Sequence, residues 1–149
     1  MSGKTFFLID DDADDSELFH EAIGAVDNSV NCCFASDGRE ALDVLKEKGD
    51  TVPDIIFMDI NMPDMNGWQL LDRLKKEEAY RAIPVIMYST SSQRSDAIKA
   101  KNYGALCFVT KPSNFSSLKK IVEVVISHME RGLMQSVCEA LHQLPLQLN

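Results

Sequence analysis

Five short apolar runs, each followed by a turn or an acid, constrain this chain more than any other feature. They fall at 4–9 (KTFFLI), 31–36 (NCCFAS), 54–58 (DIIFM), 84–88 (PVIMY) and 106–110 (LCFVT). Between them apolar residues recur at helical spacing: Leu18, Phe19, Ala22, Ile23 and Val26; Ala41, Leu42 and Leu45; Leu70, Leu71 and Leu74. The stretch 92–103 is weaker, with Ala97, Ile98 and Ala100 as its apolar face, and a helix so lightly anchored is a candidate for movement. Phe115, Leu118, Ile121, Val122, Val125 and Met129 form the strongest stripe. Strand and helix in strict alternation imply an α/β fold, a parallel sheet covered on both faces, whose strands are apolar throughout. Right-handed crossovers leave few topologies, and a doubly wound five-stranded parallel sheet of order 2-1-3-4-5 is expected.

In such a sheet ligands bind beyond the carboxyl ends of the strands. There the sequence places unusual residues. The third run ends abruptly on Asp59, and the first ends on Asp10 and Asp11 within the acidic cluster FFLIDDDADD. Strands one and three are neighbours in the expected order, so these carboxylates converge. Two unit charges about 4 Å apart repel by roughly 4 kcal/mol at an effective dielectric of 20. A retained proton or a bound cation must relieve that repulsion. A hard, oxygen-seeking ion such as Mg²⁺ fits a carboxylate cluster without His or Cys, which disfavours zinc there. The fourth run ends on hydroxyls, Ser89 or Thr90, and the fifth on Lys111 before Pro112. Carboxylates, a metal, a hydroxyl and an ammonium at one sheet edge suit phosphoryl chemistry, with a carboxylate as nucleophile. Asp14 and Asp15 are read only as helix-capping acids.

The remaining features mostly exclude. A net charge of −8 argues against nucleic-acid binding. No apolar run approaches the roughly 20 residues that span a bilayer, and the acids after Ile9 arrive before a signal-peptide core could form, so a cytoplasmic location is expected. Cys32, Cys33, Cys107 and Cys138 show no C-x-x-C spacing or metal-finger framework and are expected to be reduced and structural. His20, His128 and His142 lie on helical segments without metal-ligand spacing.

The acidic cluster, MDINMPDMNG, YST and TKP, in this order, resemble the receiver domains of bacterial two-component response regulators, the flavodoxin-like fold of CheY. The likeness covers residues 4–129 and leaves 130–149 as a helical extension without counterpart. The resemblance implies that Asp59 is the phosphoacceptor. It makes Asp11 the direct metal ligand, with Asp10 assisting through water, Asp59 contributing a carboxylate oxygen and Asn61 its backbone carbonyl. The ion would be Mg²⁺, with Mn²⁺ as the alternative. Ser89 becomes the switch hydroxyl, Phe108 the aromatic switch and Lys111 the lysine that pairs with the phosphoryl group. A cis peptide before Pro112 is also implied. Ser113 departs from the aromatic residue often found there. The donor would be a sensor histidine kinase or histidine phosphotransfer protein, and the role signalling rather than enzymatic. Output would pass to a protein on the face made by the fourth helix, fifth strand and fifth helix, since no DNA-binding module follows in these residues.

Two rivals remain open. FFLIDDDAD partly resembles the D-x-D signature of haloacid-dehalogenase-like phosphatases, with Asp10 as nucleophile and Asp12 as acid/base. A receiver fold used only as a docking scaffold is the second. For the tail, Leu133, Met134, Val137, Cys138 and Leu141 continue a helical stripe up to Pro145. That stripe could dock on the domain or serve a homodimer or partner contact.

Overall fold

A computed structural model describes residues 3–144. The apolar runs form strands β1 (Thr5–Ile9), β2 (Asn31–Ala35), β3 (Ile55–Met58), β4 (Val85–Ser89) and β5 (Cys107–Thr110). They alternate with helices α1 (Ala13–Val26), α2 (Gly38–Lys48), α3 (Gly67–Lys76), α4 (Arg94–Asn102) and α5 (Phe115–Glu130). All neighbouring strands run parallel, in the order β2-β1-β3-β4-β5. The expected topology is therefore the observed one.

Alternate side chains of the strands face opposite layers. Phe6, Leu8, Phe57, Tyr88, Cys107 and Val109 share one core with Phe19 of α1 and with Leu118, Ile121 and Val125 of α5. Phe7, Ile9, Met58, Met87 and Phe108 share the other with Leu45 of α2, Leu70 and Leu71 of α3 and Ala100 of α4. Strands β1, β3 and β4 are apolar and buried on both faces, as a covered parallel sheet requires. The outer strand β2 is only partly covered, and Phe34 is exposed on it.

Helix α4 matches its weak pattern. Ala100 is its one buried residue, Ile98 is 57% exposed, and Gln93 supplies no side-chain cap. After α5 the chain turns at Gly132, which adopts a left-handed φ of 68°. It continues through a short 3₁₀ turn (Met134–Ser136) into a two-turn helix, α6 (Val137–His142). Val137 and Leu141 of α6 are buried in the α1/α5 core, while Leu133, Met134 and Cys138 of the same stripe stay half-buried.

The implied cis peptide is absent: no described residue has one, and the Lys111–Pro112 bond is trans. Trans is the lower-energy form of an X–Pro bond by about 0.5–1 kcal/mol. The chain reaches Pro112 while Lys111 N–H still donates to Ser89 C=O at 2.7 Å, extending the β4–β5 ladder by one residue.

Candidate functional site

Register carries the acids together. Leu8 pairs with Phe57 and Ile9 with Met58, so the next residues, Asp10 and Asp59, leave adjacent strands at one level. Asp59 N–H donates to Ile9 C=O (2.9 Å) and Asp10 N–H to Ala35 C=O (3.0 Å), which ties both backbones to the sheet edge. Asp10 is 2% exposed and Asp59 7%. Carboxylate oxygens of Asp10, Asp11 and Asp59 lie within 4.8 Å of one another.

Each buried carboxylate is held in part. Asp10 Oδ1 accepts from Asp12 N–H (2.9 Å), and Asp59 Oδ1 accepts from Ile60 N–H (2.9 Å). Lys111 Nζ enters from the end of β5, 2.8 Å from Asp10 Oδ2, 2.8 Å from Asp15 Oδ2 and 3.9 Å from Asp59 Oδ2. Asp10 Oδ2 is thus paired with Lys111 alone and has no second hydrogen-bond partner. One ammonium faces three carboxylates, with Asp11 a fourth acid at the same site, so the cluster keeps a negative excess and an under-coordinated buried oxygen. Both features suit a divalent cation with oxygen ligands. Asp10, Asp11 and Asp59 could hold it, and exposed Asn61, two residues beyond Asp59, lies in the loop that would add a carbonyl.

Burial, the Asp10 charge and, to a smaller extent, Asp11 push Asp59 up to about 6, against the pull of Lys111. Burial likewise raises Asp10, although Lys111 and the Asp12 N–H oppose it. For Lys111 burial works against the charge, but hydrogen bonds to Asp10 and Asp15 outweigh it and hold its pKa up.

Ser89 is fully buried at the end of β4. In register it stands one residue beyond the level of Asp59, because Met58 pairs with Met87. Its Oγ accepts a long hydrogen bond from Ser91 N–H (3.4 Å), while Thr110 Oγ1 donates to Ser91 C=O (2.9 Å). Thr90, the other candidate hydroxyl, is exposed. Phe108 lies elsewhere, 7% exposed on the α4 side of β5 and lining a cavity of about 310 Å³ bounded by Gln93, Ala97, Leu141 and His142.

Three further participants complete the site. Asp15 does more than stand in the first turn of α1: its carboxylate holds Lys111, 96 residues away. The cap of α1 is Asp12, whose Oδ1 accepts from Asp15 N–H (3.1 Å). Tyr88, 4% exposed, sets its ring 5.6 Å from Lys111 Nζ. Burial first, then Asp15 and Asp10, raise its phenol well above the ordinary value. Gly67 opens α3 where a Cβ would stand 2.2 Å from Asp59 C=O, and its N–H donates to Ile60 C=O (2.8 Å). The signal for Gly67 is in the sequence: a glycine directly after Asn66, which caps α3 in a reciprocal box with Gln69.

The family model of the response regulator receiver domain matches residues 6–123. The chain belongs to that family. It is 27% identical over 128 residues to response regulator Rcp1 of Synechocystis sp., covering 83% of this chain and 87% of Rcp1. The structure of the Mn²⁺-bound form of Rcp1 aligns with a TM-score of 0.73 at 25% identity, over 97% of this chain and 99% of that one. An alignment over 97% of the chain extends past residue 130. The phosphorylated cyanobacterial phytochrome response regulator RcpA aligns with a TM-score of 0.77 at 28% identity, over 85% of this chain and 94% of that one. The chain is also 34% identical over 134 residues to a protein-glutamate methylesterase/protein-glutamine glutaminase of Methanococcus maripaludis. The match covers 87% of this chain but only 35% of that protein. Among the described residues no helix is long and apolar enough to cross a membrane.

Proposed function

We propose that this receiver domain takes a phosphoryl group on Asp59 from a phosphohistidine of a kinase or phosphotransfer protein and turns it into a change of protein contacts. One observation carries the reading: a nearly buried carboxylate at a strand end, flanked by two more acids and one lysine. Oδ2 of Asp59 attacks phosphorus of a phosphohistidine protonated on its other ring nitrogen, the P–N bond breaks, and the bonding pair stays on that ring, which leaves as neutral imidazole. An aspartyl phosphate forms. Ile60 N–H fixes Oδ1, which leaves Oδ2, on the Lys111 side, as the attacking atom. Lys111 exchanges part of its contact with Asp10 and Asp15 for the incoming phosphoryl oxygens. Mg²⁺, or Mn²⁺ in its place, held by Asp10, Asp11, Asp59 and the Asn61 carbonyl, would offset charge on the transferring group.

Magnitude constrains the switch. Moving a population from 1:99 to 99:1 takes about 5.5 kcal/mol. One hydrogen bond to a charged acceptor supplies about 1.5–3 kcal/mol. Ser89 therefore acts with Lys111, and the two pull on the loop between β4 and α4. That loop leads into the weakly held α4, which makes the α4–β5–α5 face the output surface. Phe108 is already covered, so its part is a repacking between α4 and the bordering cavity. Helix α6 occupies some of this face and shapes what a partner can touch. Ser89→Ala is expected to lower the partner affinity of the phosphorylated form by about 10-fold or more, the equivalent of one such bond; unchanged affinity by calorimetry would remove Ser89 from the switch.

Labelling with isotopic acetyl phosphate and Mg²⁺ tests the acceptor. Asp59→Asn should abolish the label, whereas Asp10→Asn should slow its appearance. Label persisting in Asp59→Asn and vanishing in Asp10→Asn would support a dehalogenase-like phosphatase. That rival already fits poorly, because Asp12 spends its carboxylate capping α1. No label on the wild-type chain would favour a docking scaffold.

A further inference from the structure

The two cysteines and the histidine that carry no metal motif along the chain meet in space. Cys107 lies on β5, and Cys138 and His142 lie on α6. Their separation of four residues puts the last two on one helix face. Nε2 of His142 is 3.8 Å from Cys107 Sγ and 3.9 Å from Cys138 Sγ. One ligand atom from each of the three falls within 4.8 Å of the others. In a tetrahedral zinc centre, with Zn–S about 2.3 Å and Zn–N about 2.0–2.1 Å, neighbouring sulfur and nitrogen atoms stand about 3.6 Å apart and two sulfurs about 3.8 Å apart. The two sulfur–nitrogen distances need only a few tenths of an ångström of closure, and the sulfur–sulfur separation, bounded by 4.8 Å, at most about 1 Å.

We infer that Cys107, Cys138 and His142 form a second metal site, separate from the acidic cluster, which binds a thiophilic divalent ion such as Zn²⁺ and fastens α6 to β5. Sulfur and imidazole select a soft or borderline ion, while the all-oxygen cluster at the strand ends selects a hard one. The two sites therefore sort ions rather than compete. No carboxylate completes the group among the described residues, which leaves a fourth position for solvent. The ring now holds Phe108 C=O at 3.2 Å through Nε2, so binding requires that contact to be exchanged for the ion. Two ligands come from a two-turn helix and one from a strand of the sheet. Loading the site thus joins α6 to the scaffold beside Phe108, and through α6 it fixes one border of the proposed output face. The metal site itself stands without that functional reading.

Co²⁺ is the probe, added to the reduced full chain in a phosphine reductant. One equivalent is expected to give sulfur-to-cobalt charge-transfer absorption and the intense visible bands of four-coordinate cobalt, both displaced by Zn²⁺. Cys107 lies in the core, so the decisive variants are Cys138→Ser and His142→Ala, whose side chains are on the outer helix. Each should lose the charge-transfer or the four-coordinate signature. The signal should persist in the double variant Cys32→Ser, Cys33→Ser, whose thiols lie on the opposite edge strand, and in Asp10→Asn. Loss in Asp10→Asn would assign the ion to the acidic cluster instead. Absence of a sulfur-to-metal band in the wild-type chain, or its survival at undiminished intensity in both Cys138→Ser and His142→Ala, overturns the proposal. So does a Cys107–Cys138 disulfide found by peptide mapping in place of metal uptake.

Discussion

Asp59 illustrates how a single residue is made unstable for use. Without a cation its carboxyl is pushed up to about 6, because water is excluded and Asp10 is near. In the unfolded chain it titrates near 3.9. Between those values the folded state holds a proton that the unfolded state has released, so stability from this group is full below about pH 4 and is lost as pH rises through 6. Asp59→Asn mimics the neutral acid and is expected to stabilise the metal-free protein at pH 7 by at most about 3 kcal/mol. The gain should shrink toward zero near pH 4, and added Mg²⁺ should narrow it. Urea unfolding with a chelator across pH 4–7 checks this; a pH-independent gain would place the strain elsewhere. Lys111 presents the converse case. Lys111→Met would leave Asp10 and Asp15 unpaired, at a cost of about 3–5 kcal/mol in metal-free protein at neutral pH. A loss under 1 kcal/mol in the same experiment would mean that these carboxylates are well solvated. Asp59 and Lys111 are legible in sequence because each breaks an apolar run. Asp15 is not, since its partner lies 96 residues on and its local context suits an ordinary helix start.

At the scale of elements, the ends of helices and strands position the chemistry. Gly67 lets α3 start against the Asp59 backbone, with Ile60 Cα also only 2.9 Å from where a Cβ would be. On helix propensity alone Gly67→Ala should gain up to about 1 kcal/mol. The clash is with backbone, which cannot rotate away, so a net loss of about 1–3 kcal/mol is expected by chemical denaturation. A stabilised variant would show that the Asp59 loop yields freely. Periodicity reveals α1, α2, α3 and α5 because each has a wide apolar face. It reveals α4 faintly for the physical reason that α4 buries little. The stripe after residue 132 is visible, but its destination is not, since docking on its own chain and docking on a second one require the same pattern. Leu141 is buried where α6 meets the core of its own chain. Leu141→Ala should cost about 2 kcal/mol, the low end for buried leucines, as a terminal segment can settle into the gap. An effect below 0.5 kcal/mol would argue that α6 is not held by its own domain.

At the scale of the molecule, sheet order turns scattered motifs into a site. Asp10, Asp59, Ser89 and Lys111 stand at the ends of four strands, and the order β2-β1-β3-β4-β5 sets β1, β3, β4 and β5 side by side in that sequence. Alternating strand and helix patterns make this order legible in the sequence, because few right-handed doubly wound arrangements exist. The same order places β5 at an edge, where α6 can reach it and bring Cys138 and His142 to Cys107. No sequence spacing announces that meeting, since one ligand lies about 30 positions before the others on a different kind of element. The central claim concerns where the phosphoryl group rests. Treatment of the full chain with acetyl phosphate and Mg²⁺, followed by borohydride reduction and peptide mass mapping, reads that position directly. Reductive conversion of Asp59 to homoserine, dependent on the divalent ion and confined to that peptide, is the expected result; conversion at Asp10 or another acid, or none in a fully folded sample, would contradict it.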